Sequence, residues 1–126
     1  MKVRRIDHVQ LAMPPGREGD AIGFYEGVLG IPNVAKPAHL AGRGGCWFVD
    51  GDLKVHLGVE EAFRPARKAH PALVVDDLDG LLDDCRAAGV AVRDGDGVDG
   101  HRQVYVDDPF GNRIELLEPL PDTDRS

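Results

Sequence analysis

Asp108-Pro109-Phe110-Gly111-Asn112-Arg113-Ile114-Glu115-Leu116 is the stretch whose reading decides the fold. Its first half combines Pro, Gly and Asn. These fit a tight turn for different reasons: a fixed φ, a free φ, and a side chain that bonds to its own backbone. Its second half alternates. Arg113, Glu115 and Leu117 fall on one side and Ile114 and Leu116 on the other, which predicts a half-buried strand over Arg113–Leu117. The segment before the turn, Gln103–Val106, predicts the other arm of a hairpin. An earlier segment resembles it: Trp47-Phe48-Val49-Asp50-Gly51 against Val104-Tyr105-Val106-Asp107-Asp108.

Outward from these two hairpins the chain repeats. Ahead of the first, Val3–Met13 predicts a strand ended by Pro14-Pro15-Gly16. Asp20–Leu29 predicts a helix with Ala21, Phe24, Tyr25, Val28 and Leu29 as its apolar stripe and Gly30 as its stop. The first hairpin then joins Cys46–Val49 to Leu53–Val59 through Asp50-Gly51-Asp52. Ahead of the second, Pro71–Val75 predicts a strand. Asp77 caps a helix running to Ala88, with Gly89 as its stop, and Val90–Arg93 predicts a further strand. Asp94–Gly100 reads as a polar, glycine-rich loop. A period of about 60 residues marks an internal duplication. The expected organisation is one α+β domain over 1–118, with module one at about 3–60, a linker at Glu60–Ala69, module two at about 70–118, and a disordered tail over 119–126.

Composition narrows the function. The 126 residues carry a net charge of −7, against the basic field that nucleic acids or an anionic membrane surface require. No apolar run approaches the roughly 20 residues of a membrane span, and the N-terminus lacks a signal-peptide core. Two cysteines, Cys46 and Cys85, make neither a disulfide framework nor a cysteine-based zinc site. The expectation is a cytoplasmic protein whose partner is a small molecule.

Four side chains occupy repeat-equivalent places. His8 and His70 fall at the first strand of each module, and His56 and Glu115 on the last. Three imidazoles and one carboxylate are competent ligands for a divalent metal. By strand parity, His56 faces away from Val55 and Leu57, Glu115 away from Ile114 and Leu116, His8 away from Val9 and Leu11, and His70 away from Leu73 and Val75. Helices can cover the apolar faces, and the four ligands can share the other. His39 and His101 lack repeat partners and are not expected in the site. Trp47 and Tyr105, at matching places in the modules, are candidates for lining a substrate cavity or for the core. The basic Arg64, Arg67 and Lys68 read as linker or as an anion clamp, and Asp76, Asp77 and Asp79 as helix N-terminal acids.

With Ile6-Asp7-His8-Val9, Phe24-Tyr25-Glu26-Gly27-Val28-Leu29-Gly30, His70-Pro71-Ala72-Leu73-Val74-Val75-Asp76-Asp77-Leu78 and the Asp108–Leu116 stretch together, the chain resembles the vicinal oxygen chelate superfamily. That group contains glyoxalase I, fosfomycin-resistance enzymes, methylmalonyl-CoA epimerase, extradiol dioxygenases and bleomycin-resistance proteins. The resemblance implies two βαβββ modules forming an open, cup-shaped mixed sheet around a divalent ion (Zn, Fe, Mn or Ni). By position, His8, His56, His70 and Glu115 would hold the ion, with Glu115 also catalytic. Glyoxalase I has a carboxylate and the epimerase a glutamine where His56 stands, so the resemblance gives the family without the reaction. It implies a metal-dependent enzyme, of the glyoxalase-like lyase or isomerase type or the ring-cleavage dioxygenase type, acting on a small oxygenated organic molecule. The alternative is a metal-free protein that sequesters a drug, as bleomycin-resistance members do. It also implies a homodimer, in which each site is built within one chain or shared between two.

Overall fold

The computed structural model describes residues 2–121, so the expected tail from residue 122 onward lies outside the described residues. The chain divides between Pro65 and Ala66 into two compact units.

The first unit runs β1 (Val9–Met13), α1 (Glu18–Tyr25), β2 (Asn33–Val34), a 3-10 helix (Ala38–Arg43), β3 (Cys46–Asp50) and β4 (Leu53–Val59). Its four strands form one sheet in the order β1-β4-β3-β2, with β1 parallel to β4 and the other pairs antiparallel. Val55 and Leu57 of β4 are buried beside Phe48 and Cys46, and α1 packs on β3; His56 between them is buried too, on the opposite face of the strand. The Tyr25 ring lies 4.9 Å from Phe24 and 5.3 Å from Phe48, so two aromatics of the helix close this core. Each such fully buried side chain contributes roughly 1.5–3 kcal/mol.

The second unit repeats the order: β5 (Ala72–Val74), α2 (Leu78–Ala87), β6 (Val92–Asp94), β7 (His101–Asp107) and β8 (Arg113–Pro119), in a sheet β5-β8-β7-β6 with β5 parallel to β8. Leu78, Leu82 and Cys85 of α2 are buried together with Val104, Val106, Ile114 and Leu116. Asp77 caps α2 as expected, accepting the Gly80 N–H at 3.0 Å. The helix ends where Gly89 adopts φ +76, which lets the Gly89 N–H reach the Arg86 carbonyl and the Val90 N–H the Cys85 carbonyl. The fold is therefore α+β, two βαβββ units with mixed sheets, and neither sheet closes on itself.

The turn that opened the sequence reading is locked from within. Asp108 Oδ1 accepts the N–H of Phe110 at 2.9 Å and of Asn112 at 2.8 Å, and Asn112 Nδ2 donates to Asp108 Oδ2 at 2.8 Å. Asp108 and Asn112 are both buried, so these bonds answer the cost of removing them from water. β8 leaves the turn in a fixed register, with Glu115 opposite Tyr105.

Several expected boundaries move. The strand expected over Val3–Met13 begins only at Val9, and that over Pro71–Val75 at Ala72, so His8 and His70 stand just ahead of their strands. The α1 helix ends at Tyr25 because the next N–H groups step further back: Gly27 and Leu29 donate to Ile22 and Phe24, five residues before them. β2 and the 3-10 helix have no counterpart in the expected elements. At the other end, β8 extends to Pro119, and the Leu120 N–H donates to the Gly100 carbonyl at 2.8 Å.

Candidate functional site

In the first unit, His56 of β4 pairs in register with Gln10 of β1 on one side and Trp47 of β3 on the other. Register partners share a face, so the three side chains form a row. The His56 ring lies 4.0 Å from the Trp47 ring at 4° and 4.2 Å from the His8 ring at 22°, a continuous stack of Trp47, His56 and His8. His56 is buried; burial first, and the neighbouring His8 imidazole next, push its pKa down and keep the ring neutral. His8 is exposed, and its Nδ1 donates to Asp7 Oδ2 at 3.0 Å. Bonds from His8 and from Lys54, whose Nζ lies 3.4 Å from Asp7 Oδ1, hold the Asp7 carboxyl below its usual range. A carboxylate on Nδ1 fixes the tautomer and leaves Nε2 as the free donor atom.

The second unit builds the equivalent row from different chemistry. Glu115 of β8 pairs in register with Ala72 and Tyr105, as His56 does with Gln10 and Trp47. His70 Nε2 and Glu115 Oε1 are 2.9 Å apart. The remote atoms of both groups are anchored. His70 Nδ1 donates to the Lys68 carbonyl at 2.7 Å, and Gln103 Nε2 donates to Glu115 Oε2 at 2.8 Å. Burial works to raise the Glu115 carboxyl, but the hydrogen bonds from His70 and Gln103 outweigh it and hold the carboxyl below its usual range. Tyr105 is half-buried: its hydroxyl accepts from Gln103 at 3.2 Å, its ring meets the His70 ring edge-on at 5.7 Å, and Arg113 lies over it at 5.5 Å.

The expected ligands thus come as two pairs, His8 with His56 and His70 with Glu115. Among the described residues, no three His, Cys, Asp or Glu side chains gather closely enough to hold an ion. Within the first pair, His8 has Nδ1 committed to the Asp7 carboxylate, the tautomer a metal takes at Nε2; in the second, both His70 nitrogens face oxygen acceptors. His39 is exposed on the 3-10 helix, and His101 opens β7 with its Nδ1 bonded to the Asp99 carbonyl at 3.0 Å. Of the basic linker, only the Lys68 carbonyl enters the site; Arg64, Arg67 and Lys68 are exposed. Sequence reasoning missed Gln103, which also accepts the Gly97 N–H at 2.9 Å through Oε1 and so ties Glu115 to the glycine-rich loop. Its signal was parity: Gln103 shares a strand face with Tyr105.

The family model described as the Glyoxalase/Bleomycin resistance protein/Dioxygenase superfamily matches residues 5–116. A protein from Bacillus anthracis described as a glyoxalase family protein is 42% identical, with 95% of this chain and 98% of that one covered and a TM-score of 0.89. A glyoxalase/dioxygenase from Nostoc punctiforme is 22% identical over 95% of this chain and 94% of that one, TM-score 0.77. TnmS3, an antibiotic binding protein from Streptomyces sp. CB03234, is 24% identical over 95% and 99%, TM-score 0.69. The last two likenesses are of fold. No curated protein matches the chain.

Proposed function

From the premise that the chain belongs to the glyoxalase/bleomycin resistance protein/dioxygenase superfamily, we propose that it is a divalent-metal-dependent enzyme acting on a small oxygenated organic molecule. The ion would be held by His8, His70 and Glu115, with His56 as the fourth group. The observation that carries this reading is the 2.9 Å approach of His70 Nε2 to Glu115 Oε1, with Lys68 and Gln103 holding the far atoms of both. A hydrogen bond anchoring the remote atom of each ligand is what metal sites use to aim their donors.

When bound, a divalent ion supplies Lewis acidity toward substrate oxygens that gain charge during reaction. The chain's residues do the rest. Glu115 is the only carboxylate of the set; it balances the ion's charge, and its Oε1 is the atom able to take up a proton. His56, kept neutral by burial, adds a donor without adding charge. Trp47 and Tyr105 flank the two ligand rows and orient the substrate. Lyase, isomerase and ring-cleavage chemistry all suit such a set, since fold alone does not choose among them.

A homodimer belongs to the same reading. β1 and β5 are edge strands of their sheets, and Val3, Ile6 and Val74 near their ends are 85%, 79% and 65% exposed. Uncovered edges and apolar side chains of this kind favour a partner. Mixing a His8→Ala chain with a Glu115→Ala chain tests whether sites are shared. Recovered metal binding in the mixture means ligands from two chains; no recovery means each chain builds its own. A cytoplasmic location fits two free, buried cysteines; no helix among the described residues is long and apolar enough to cross a membrane.

The second reading, a metal-free binding protein of the bleomycin-resistance type, draws on the stacked Trp47, His56 and His8 rings, a platform for a flat ligand. Metal analysis of protein purified without chelators separates the two. Bound metal, lost in His70→Ala, supports the enzyme. No metal, with a thermal shift on adding a hydrophobic antibiotic, supports the binder.

A further inference from the structure

The sheet face that carries His56 also carries a cleft of about 240 Å³, made wholly by the first unit. Gln10 and Trp47, the register partners of His56, form part of its floor, and Gly58, the next residue of β4 on that face, lies beside them. Gly58 makes the room: a Cβ there would sit 2.6 Å from Gln10 Nε2. The wall comes from the 3-10 helix Ala38–Arg43 and its approach, which bring Leu40 and two cations, Lys36 and Arg43, to the opening. No carboxylate lines the cleft, although the chain as a whole carries −7. The nearby Glu18 carboxylate is occupied with the Gly45 N–H at 2.9 Å. Lys36 Nζ donates to the Gly44 carbonyl and keeps further donors for a ligand. Arg43 forms no ion pair among the described residues.

We propose that this cleft binds a small organic anion, a carboxylate with a compact apolar or aromatic body. The anionic group lies between Lys36 and Arg43, and the body lies against Leu40, Val59 and Trp47. Two cations in a concave, partly apolar site attract an anion and meet it with charge-assisted hydrogen bonds. Gln10 offers an amide to a hydroxyl or carbonyl on the body. Because Gln10 and Trp47 flank His56 in register, the far end of such a ligand reaches the ligand row. The cleft thus names the substrate class of the proposed activity, and rests on that reading only in calling the bound anion a substrate.

Trp47 is the only tryptophan of the chain, so its fluorescence reports occupancy directly. Chelator-treated protein is titrated with benzoate and with its neutral isostere benzamide. The expected result is saturable benzoate binding at least about tenfold tighter than benzamide, weakened by added salt. Arg43→Gln and Lys36→Gln should each lose about tenfold for benzoate and little for benzamide, and Lys36→Arg should retain binding. Equal affinity for the two probes, no saturable change with either, or benzoate binding untouched by both glutamine substitutions would overturn the proposal. Arg43 is exposed and Lys36 half-exposed, so neither substitution threatens the core. Working without metal keeps the two ideas apart: benzoate binding in a protein that never holds metal retains the cleft and sinks the metal reading, and metal without benzoate binding does the reverse.

Discussion

The two units use the same strand geometry to hold opposite kinds of donor pair. In the first, His56 is flattened between the rings of Trp47 and His8, and burial keeps it neutral. In the second, the residue at the equivalent register position is Glu115, held in its charged form by His70 and Gln103. Both rows pair the last strand with an aromatic neighbour, Trp47 or Tyr105. A duplicated fold can thus fix where donors stand while leaving their chemistry free. One unit presents π-surface and a cleft with two cations, the other a carboxylate held in its charged form.

The largest expected effect tests that division. Glu115→Gln keeps the size and the Gln103 contact but removes the charge, so turnover on any substrate found should fall on the order of 10²–10⁴-fold with little change in urea stability. A variant with full turnover would end the claim that the second unit supplies the charge.

The next effect lies in how each unit delivers its last strand. The first uses the short turn Asp50-Gly51-Asp52, whereas the second uses a loop locked by a buried carboxylate with three hydrogen bonds. Asp108→Ala leaves those buried donors unpaired and should cost about 1–3 kcal/mol or more in urea unfolding. Asp52→Ala, at an exposed position, should stay within about 0.5 kcal/mol. Equal costs would erase the difference between the two hairpins.

His56→Glu makes the first unit's row resemble the second's. It should keep metal binding but place a second carboxylate in the set, and so shift the pH profile of activity. His56→Gln should reduce metal affinity less than His8→Ala or His70→Ala, because three ligands remain. If His56→Ala leaves metal content and affinity untouched, His56 is no ligand and serves only the stack.

The smallest effect is on stability against pH. His56 and Glu115 both have folded pKa values below their ordinary ones. Each therefore binds protons more readily when unfolded, and its contribution is present above the unfolded value and lost as pH falls through the folded one. For His56 that loss begins below its ordinary 6.5, and for Glu115 below 4.5. Urea midpoints of His56→Gln should therefore lose part of the wild-type decline between neutral and mildly acidic pH. Those of Glu115→Gln should likewise lose the part of the wild-type decline that sets in below pH 4.5. Identical profiles for all three proteins would contradict both assignments.

Much of this was legible in the chain because a period of two and a period of about 60 residues act together. The alternation in Leu53–Val59 and Arg113–Leu117 placed His56 and Glu115 on the face opposite the core, and Asp77 and Gly89 bounded α2 where the structure has it. Other features were hidden for physical reasons. Apolar Val3 and Ile6 mimic a strand, yet they stand among charges and stay exposed, so β1 begins at Val9. β2 is two residues long, below what any pattern can mark. The 3-10 helix follows Pro37 without an amphipathic stripe, so the cations it brings to the cleft were invisible as a group. Gln103 acts through its bond to Glu115, which only the register of β7 on β8 brings within reach.

The proposal of a divalent ion held by His8, His56, His70 and Glu115 is tested most directly by metal content per chain. Wild type, His8→Ala and Glu115→Ala are purified without chelators, loaded with a divalent ion and stripped of excess. The expected result is one ion per chain in wild type and loss of that ion in both variants, one from each unit. Full retention in His8→Ala alongside loss in Glu115→Ala would place the whole site in the second unit and contradict the account.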